Sequence, residues 1–213
     1  MTVMRNAIAT SMVFALLLST PRNGHAIGRI VGVDAVEANR KPTSGLALTQ
    51  PGEHGPMVGQ IAGDVHWTNA QGEKRSLSKL TAQGRVVVVV LRGWPGYQCP
   101  ICSRQVGAFL DNKTQLNSLG VNVILIYPGP AELLETHAKE FVGSKAFSGP
   151  IHMVIDPDYA FTNAWNLRWD APKETAYPST YVLGKGNVVE FAKVSKTHGG
   201  RVSFATVLEQ LQK

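Results

Sequence analysis

Five consecutive valines, Val86–Val90, followed by Leu91, constrain the fold of this chain most. β-Branched side chains are stiff at χ1 and suit extended backbone. An unbroken apolar run has no polar face to offer water. It is therefore expected as a strand covered on both faces of a sheet. The loop Arg92-Gly93-Trp94-Pro95-Gly96-Tyr97-Gln98 follows. A helix is then expected from Pro100 to about Leu119, with proline in its first turn and Gly120 placed to end it. Val121 to Tyr127 reads as the next strand, completing a βαβ unit.

The alternation continues downstream. Ala131 to Val142 reads as a helix stopped by Gly143, and Ile151 to Ile155 as a strand ended by Asp156-Pro157. Ser179 to Leu183 and Val188 to Lys193 read as strands joined by Gly184-Lys185-Gly186-Asn187. Ser203 is placed to cap a last helix carrying Phe204, Val207, Leu208 and Leu211 on one face. The sum is an α/β fold, a central mixed β-sheet flanked by helices on both faces, spanning 61–213. Residues 27–60 hold Lys41-Pro42, Gln50-Pro51-Gly52 and Gly55-Pro56 without a sustained period. They read as an irregular Gly/Pro-rich linker or arm.

Residues 1–26 read as a secretory signal. Arg5 supplies the charge, Ala7 to Leu18 the apolar stretch, and Gly24-His25-Ala26 a small-x-Ala site. The stretch is short for a transmembrane helix. The chain is therefore expected to be secreted or periplasmic with no stable membrane anchor, an uncleaved signal being the minor alternative. With 44% hydrophobic and 17% charged residues, wholesale disorder is excluded. The net charge of +6 comes without a basic cluster, so no nucleic-acid partner is expected.

Export gives the cysteines their meaning. There are two, Cys99 and Cys102, in Cys-Pro-Ile-Cys. A bridge between them would close almost no loop and stabilise little. A zinc site needs four ligands, and the six histidines (His25, His54, His66, His137, His152, His198) are scattered. A soft-metal role with His152 or His198 is a lesser option. The favoured interpretation is a redox dithiol at a helix start, with no metal and no cofactor. Unpaired N–H groups there stabilise a thiolate, and the thiolate is the attacking species. Cys102 shares a stripe with Val106, Phe109 and Leu116, so it is expected to face the core while Cys99 stays exposed. Cys99 and Cys102 are the expected catalytic residues. Pro100 presets the helix, Arg92 is expected to help if it folds back, and Trp94 and Tyr97 shape the rim. Trp165, Trp169 and Phe161 are assigned to packing, Thr197 to Gly200 to a turn, and His198 to no catalytic role, while Asp170 and Glu174 are too far in sequence to assign as the proton acceptor for Cys102.

The chain resembles the redoxin and peroxiredoxin-like branch of the thioredoxin superfamily, of the alkyl-hydroperoxide-reductase/thiol-specific-antioxidant type. Asp64, Gly72 and Ser76-Leu77-Ser78-Lys79-Leu80 carry the resemblance, with Val86 to Pro95, then Pro178-Ser179-Thr180-Tyr181-Val182-Leu183 and Gly186. It implies a thioredoxin-like fold with an N-terminal extension, and a cis-proline at Tyr177-Pro178 facing the cysteines. Pro95 and Cys102 keep the peroxiredoxin spacing, but Cys99 replaces its hydroxyl residue and Pro178 its arginine. Gly93 stands where thioredoxins carry a buried acid. The expected function is thiol–disulfide exchange on protein or small-molecule thiols and disulfides. The alternative is a thiol peroxidase, with Cys102 attacking peroxide and Cys99 resolving. A Cu(I)-delivery module is the lesser alternative, since copper-chaperone relatives place three residues between their cysteines.

Overall fold

The computed structural model describes residues 27–34, 54–145 and 147–213. The predicted signal lies outside them. One eight-stranded sheet organises the rest, in the order β3-β2-β1-β6-β5-β4-β7-β8. The strands are β1 (Ile27–Val33), β2 (Val65–Thr68), β3 (Lys74–Ser76), β4 (Val86–Val90), β5 (Asn122–Gly129), β6 (Ile151–Pro157), β7 (Ser179–Leu183) and β8 (Val189–Val194).

The valine run is β4, and all five side chains are buried. It pairs parallel with β5 and antiparallel with β7. Alternate residues point to opposite faces of a strand. Val87, Val89 and Leu91 accordingly pack with the cysteines, Phe109 and Tyr127. Val86, Val88 and Val90 pack with Trp67, Phe161, Trp165 and Tyr181 on the other face. The two-sided burial expected from the sequence is present.

The helices are α1 (Leu77–Thr81), α2 (Pro100–Asp111), α3 (Lys113–Ser118), α4 (Leu134–Val142), α5 (Ala160–Ala164) and α6 (Phe204–Leu211). The single helix expected to about Leu119 is two. Backbone at Asn112 leaves the helical region, and its Nδ2 donates to the Ala108 carbonyl at 2.8 Å. The side chain thus satisfies a carbonyl that the break would orphan. Ser203 caps α6 as expected, accepting from Thr206 N–H at 3.1 Å.

One expectation is corrected. Ile27–Val33 is not part of an irregular arm but an interior strand, antiparallel to β2 and parallel to β6. Its glycines disguise it. A Cβ at Gly28 would lie 2.7 Å from Trp67 Cδ1, so the missing side chain makes room for a buried tryptophan. Residues 35–53 of the expected arm lie outside the described residues.

Candidate active site

The site forms where β4 ends and α2 begins. Cys99 is the N-cap of α2, extended at φ −89° and ψ 109°, with Pro100 as the first helical residue. A helix start leaves its first N–H groups without helical partners. Here the Cys102 N–H points at Cys99 Sγ, at 3.3 Å. The loop leading in is fixed by Gly93. Its φ is +69°, and a Cβ there would lie 1.8 Å from the Pro128 carbonyl oxygen. That oxygen accepts the Trp94 N–H at 2.9 Å. The position of the thioredoxin acid is therefore closed to any side chain.

Both cysteines are free thiols. Cys99 is 3% exposed and Cys102 1%, so the expectation of an exposed Cys99 is corrected. The loop over the helix start covers it. Gln98 is pinned there, its Oε1 accepting from the Tyr127 hydroxyl and its Nε2 donating to the His137 carbonyl, both at 2.9 Å. Cys102 Sγ faces Arg92 N–H at 3.5 Å and Arg201 Nη2 at 3.2 Å.

These contacts separate the two thiols electrically. A hydrogen bond from the Cys102 thiol is the largest influence on Cys99. With the Cys102 N–H and the charges of Arg201 and His198, it overcomes burial and lowers Cys99 to about 5. The same hydrogen bond and deeper burial push Cys102 up, against the pull of Arg201. Cys99 is the thiolate at neutral pH and Cys102 keeps its proton.

Arg92 is buried at 8% exposure but does not point its charge at sulfur. Its Nη2 pairs with Glu174 Oε1 at 3.1 Å and the Lys173 carbonyl at 2.7 Å, and its Nη1 with the Tyr97 hydroxyl. The cation against the Cys102 thiol is Arg201, held by Gln105 Oε1 at 2.9 Å and the Val90 carbonyl at 3.3 Å. Trp94 stacks on His137 with centroids 3.6 Å apart, and half-buried Pro95 continues the loop. Pro178 is buried and precedes Ser179, the partner of Val90. The expected cis bond is corrected. No cis peptide occurs among the described residues, and the Pro178 carbonyl accepts from Ser195 N–H at 2.9 Å.

Sequence reasoning missed three members of this site. Arg201 contacts a thiol directly. Glu174 bridges Arg92 and His198, the latter at 2.8 Å. His198 acts electrostatically on Cys99. All three come from loops remote in sequence, and no local pattern marks them. Among the described residues, Asp34, Asp64 and His66 could share a metal, and that cluster includes neither cysteine.

A dithiol capping a helix on a sheet of this topology defines an oxidoreductase acting on sulfur groups, on a thioredoxin-like fold. The chain belongs to the Redoxin family, which matches residues 57–210. Solved structures of similar fold include the yeast mitochondrial 1-Cys peroxiredoxin, at 14% identity and TM-score 0.58, covering 74% of this chain and 75% of that one. Prx3 of Vibrio vulnificus in complex with H2O2 is 19% identical at TM-score 0.54, covering 77% and 99%. The reduced 2-Cys peroxiredoxin of Plasmodium vivax is 12% identical at TM-score 0.55, covering 74% and 81%. Among curated protein sequences none matches this chain.

Proposed function

We propose that this protein is a thiol–disulfide oxidoreductase in which Cys99 attacks and Cys102 resolves. One observation carries the proposal: the helix-capping Cys99 Sγ receives the Cys102 N–H, while Cys102 Sγ is held behind it by Arg201 and the Arg92 N–H. Cys99 thiolate attacks a substrate disulfide, forming a mixed disulfide and releasing one substrate sulfur as thiolate. Loss of the Cys99 charge then removes one influence that raises Cys102. Cys102 sulfur attacks Cys99 Sγ, the bond to substrate breaks, the Cys102 proton ends on the departing substrate sulfur, and the Cys99–Cys102 disulfide remains. Two electrons pass from the dithiol to the substrate disulfide. Cys99→Ser is expected to abolish exchange and Cys102→Ser to accumulate mixed disulfides. Full exchange by Cys99→Ser would refute the assignment.

A second reading, a thiol peroxidase, has its own support. Cys102 stands at the peroxiredoxin spacing, and Arg201 brings to its sulfur a guanidinium that the Pro178 position does not supply. Cys102 sulfur would then attack a peroxide oxygen, the O–O bond breaking with release of water or an alcohol, and the resulting sulfenic acid would condense with Cys99 to a disulfide with loss of a water. Peroxide consumption by the dithiol form, abolished by Cys102→Ser, would favour it; rates no faster than a free thiol would remove it. We place either activity in an exported compartment, on the support of residues 1–26, and cell fractionation with N-terminal sequencing of the mature chain tests this.

A further inference from the structure

A mixed disulfide sets a substrate sulfur about 2 Å from Cys99 Sγ and brings the substrate carbon behind it close as well. Yet only 3% of Cys99 is exposed. The substrate gains that position only when the segment leading into Cys99 moves aside. The side chain that holds this segment is Gln98, the residue directly before the thiol. Its amide ties two elements together. Oε1 accepts from the Tyr127 hydroxyl of β5, and Nε2 donates to the His137 carbonyl of α4, both at 2.9 Å. Both partners are themselves fixed. Tyr127 is buried and packs on Phe141, with ring centroids 5.3 Å apart. His137 stacks on Trp94 at 3.6 Å, and its Nδ1 lies 3.0 Å from Glu140 Oε2. Just upstream the loop is open. Gly96 has a φ of +107°, and a Cβ built on it would meet nothing within 4 Å. Gly96 and Tyr97 are both exposed.

We propose that Gln98 is a specificity-determining residue: its two hydrogen bonds clasp the loop over Cys99, so that the site favours disulfides of small thiols and admits a bulky disulfide only when the clasp opens. This rests on Cys99 as the attacking thiol. The exposed turn at Gly96 and Tyr97 absorbs the movement, while the sheet and α2 stay in place. Opening breaks both bonds of the Gln98 amide, because one amide makes both. A neutral hydrogen bond shifts such an equilibrium by a factor of about five. Removing the Tyr127 hydroxyl takes away one bond, and removing the Gln98 amide takes away two.

The test reads access to Cys99 and not turnover, so its failure and that of the exchange assignment are told apart. The reduced protein is treated at pH 7.5 with N-ethylmaleimide or N-(1-pyrenyl)maleimide, which share one reactive group and differ in bulk. Cys99, lowered to about 5, is fully ionised there, so differences in ionisation do not enter. Modification at Cys99 is located by tandem mass spectrometry. In the wild type the pyrenyl-to-ethyl rate ratio is expected to lie well below that of a free cysteine peptide. Tyr127→Phe is expected to raise the ratio about fivefold, and Gln98→Ala roughly tenfold or more. Amide hydrogen exchange at residues 96–99 should quicken in both variants while Val86–Val90 keeps its protection, a pattern that general destabilisation would not give. The wild-type comparison needs no variant, and Tyr127→Phe keeps the ring if Gln98→Ala fails to fold. A wild-type ratio equal to that of the free peptide would overturn the proposal. So would a ratio unchanged in both variants. Loss of exchange in Cys99→Ser bears on the attacking thiol alone.

Discussion

Replacing Arg201 by methionine tests the electrostatics of the site most directly. The guanidinium lies 3.2 Å from Cys102 Sγ, and its charge also lowers Cys99. For Cys99 it ranks below the hydrogen bonds from Cys102, so the lower end of the usual effect of a nearby opposite charge applies, about one pH unit. With Cys99 at about 5, about half of it is thiolate at pH 5. In Arg201→Met that fraction falls to about one tenth, and alkylation at pH 5 slows about fivefold. At pH 9 both proteins are fully ionised at Cys99 and the difference disappears. Arg201→Lys keeps the charge but not the planar fork, and is expected to fall between. Methionine also leaves Gln105 Oε1 and the Val90 carbonyl without this donor. The stability cost is on the order of 1–3 kcal/mol, measured separately by denaturant melting. An alkylation profile of Arg201→Met that overlays the wild type would refute the assignment of Arg201 as a cation acting on the dithiol.

Gly93→Ala places a Cβ 1.8 Å from the Pro128 carbonyl oxygen at a φ of +69°. It is expected to destabilise the fold by roughly 2 kcal/mol or more and to displace the 92–98 loop, visible as increased Cys99 exposure to a bulky thiol reagent. Asp156 is fully buried and raised to about 6, burial outweighing the N–H groups of Phe161 and Thr162 that it accepts at 2.7 and 3.1 Å. The folded state therefore binds this proton more tightly than the unfolded chain. Its contribution is full below the unfolded value near 4 and is lost as pH rises through about 6. Relative to Asp156→Asn, the wild type should gain on the order of 2–3 kcal/mol between pH 7.5 and about 4, read by urea melts; parallel curves would exclude this.

The sheet, its helices and the placement of the dithiol were legible because each rests on a local pattern. Val86–Val90 can only be buried on two faces, and the 102, 106, 109 and 116 stripe puts Cys102 inward. The first strand escaped because Gly28 is chosen by a tertiary neighbour, Trp67, and not by strand propensity. The break at Asn112 escaped because its compensating bond to Ala108 is a side-chain detail within an otherwise helical pattern.

By itself the sequence determined that Cys99 caps a helix and that Cys102 sits one turn inside it, since 3.6-residue periodicity and Pro100 dictate both. Tertiary structure alone decided how the two sulfurs are charged. The Arg92 guanidinium, adjacent in sequence, turns to Glu174, while Arg201, 99 residues from Cys102, reaches its sulfur. Charge acts through space and is strongest where water is excluded. The groups that set a buried thiol are therefore those the fold carries to it, wherever they lie along the chain.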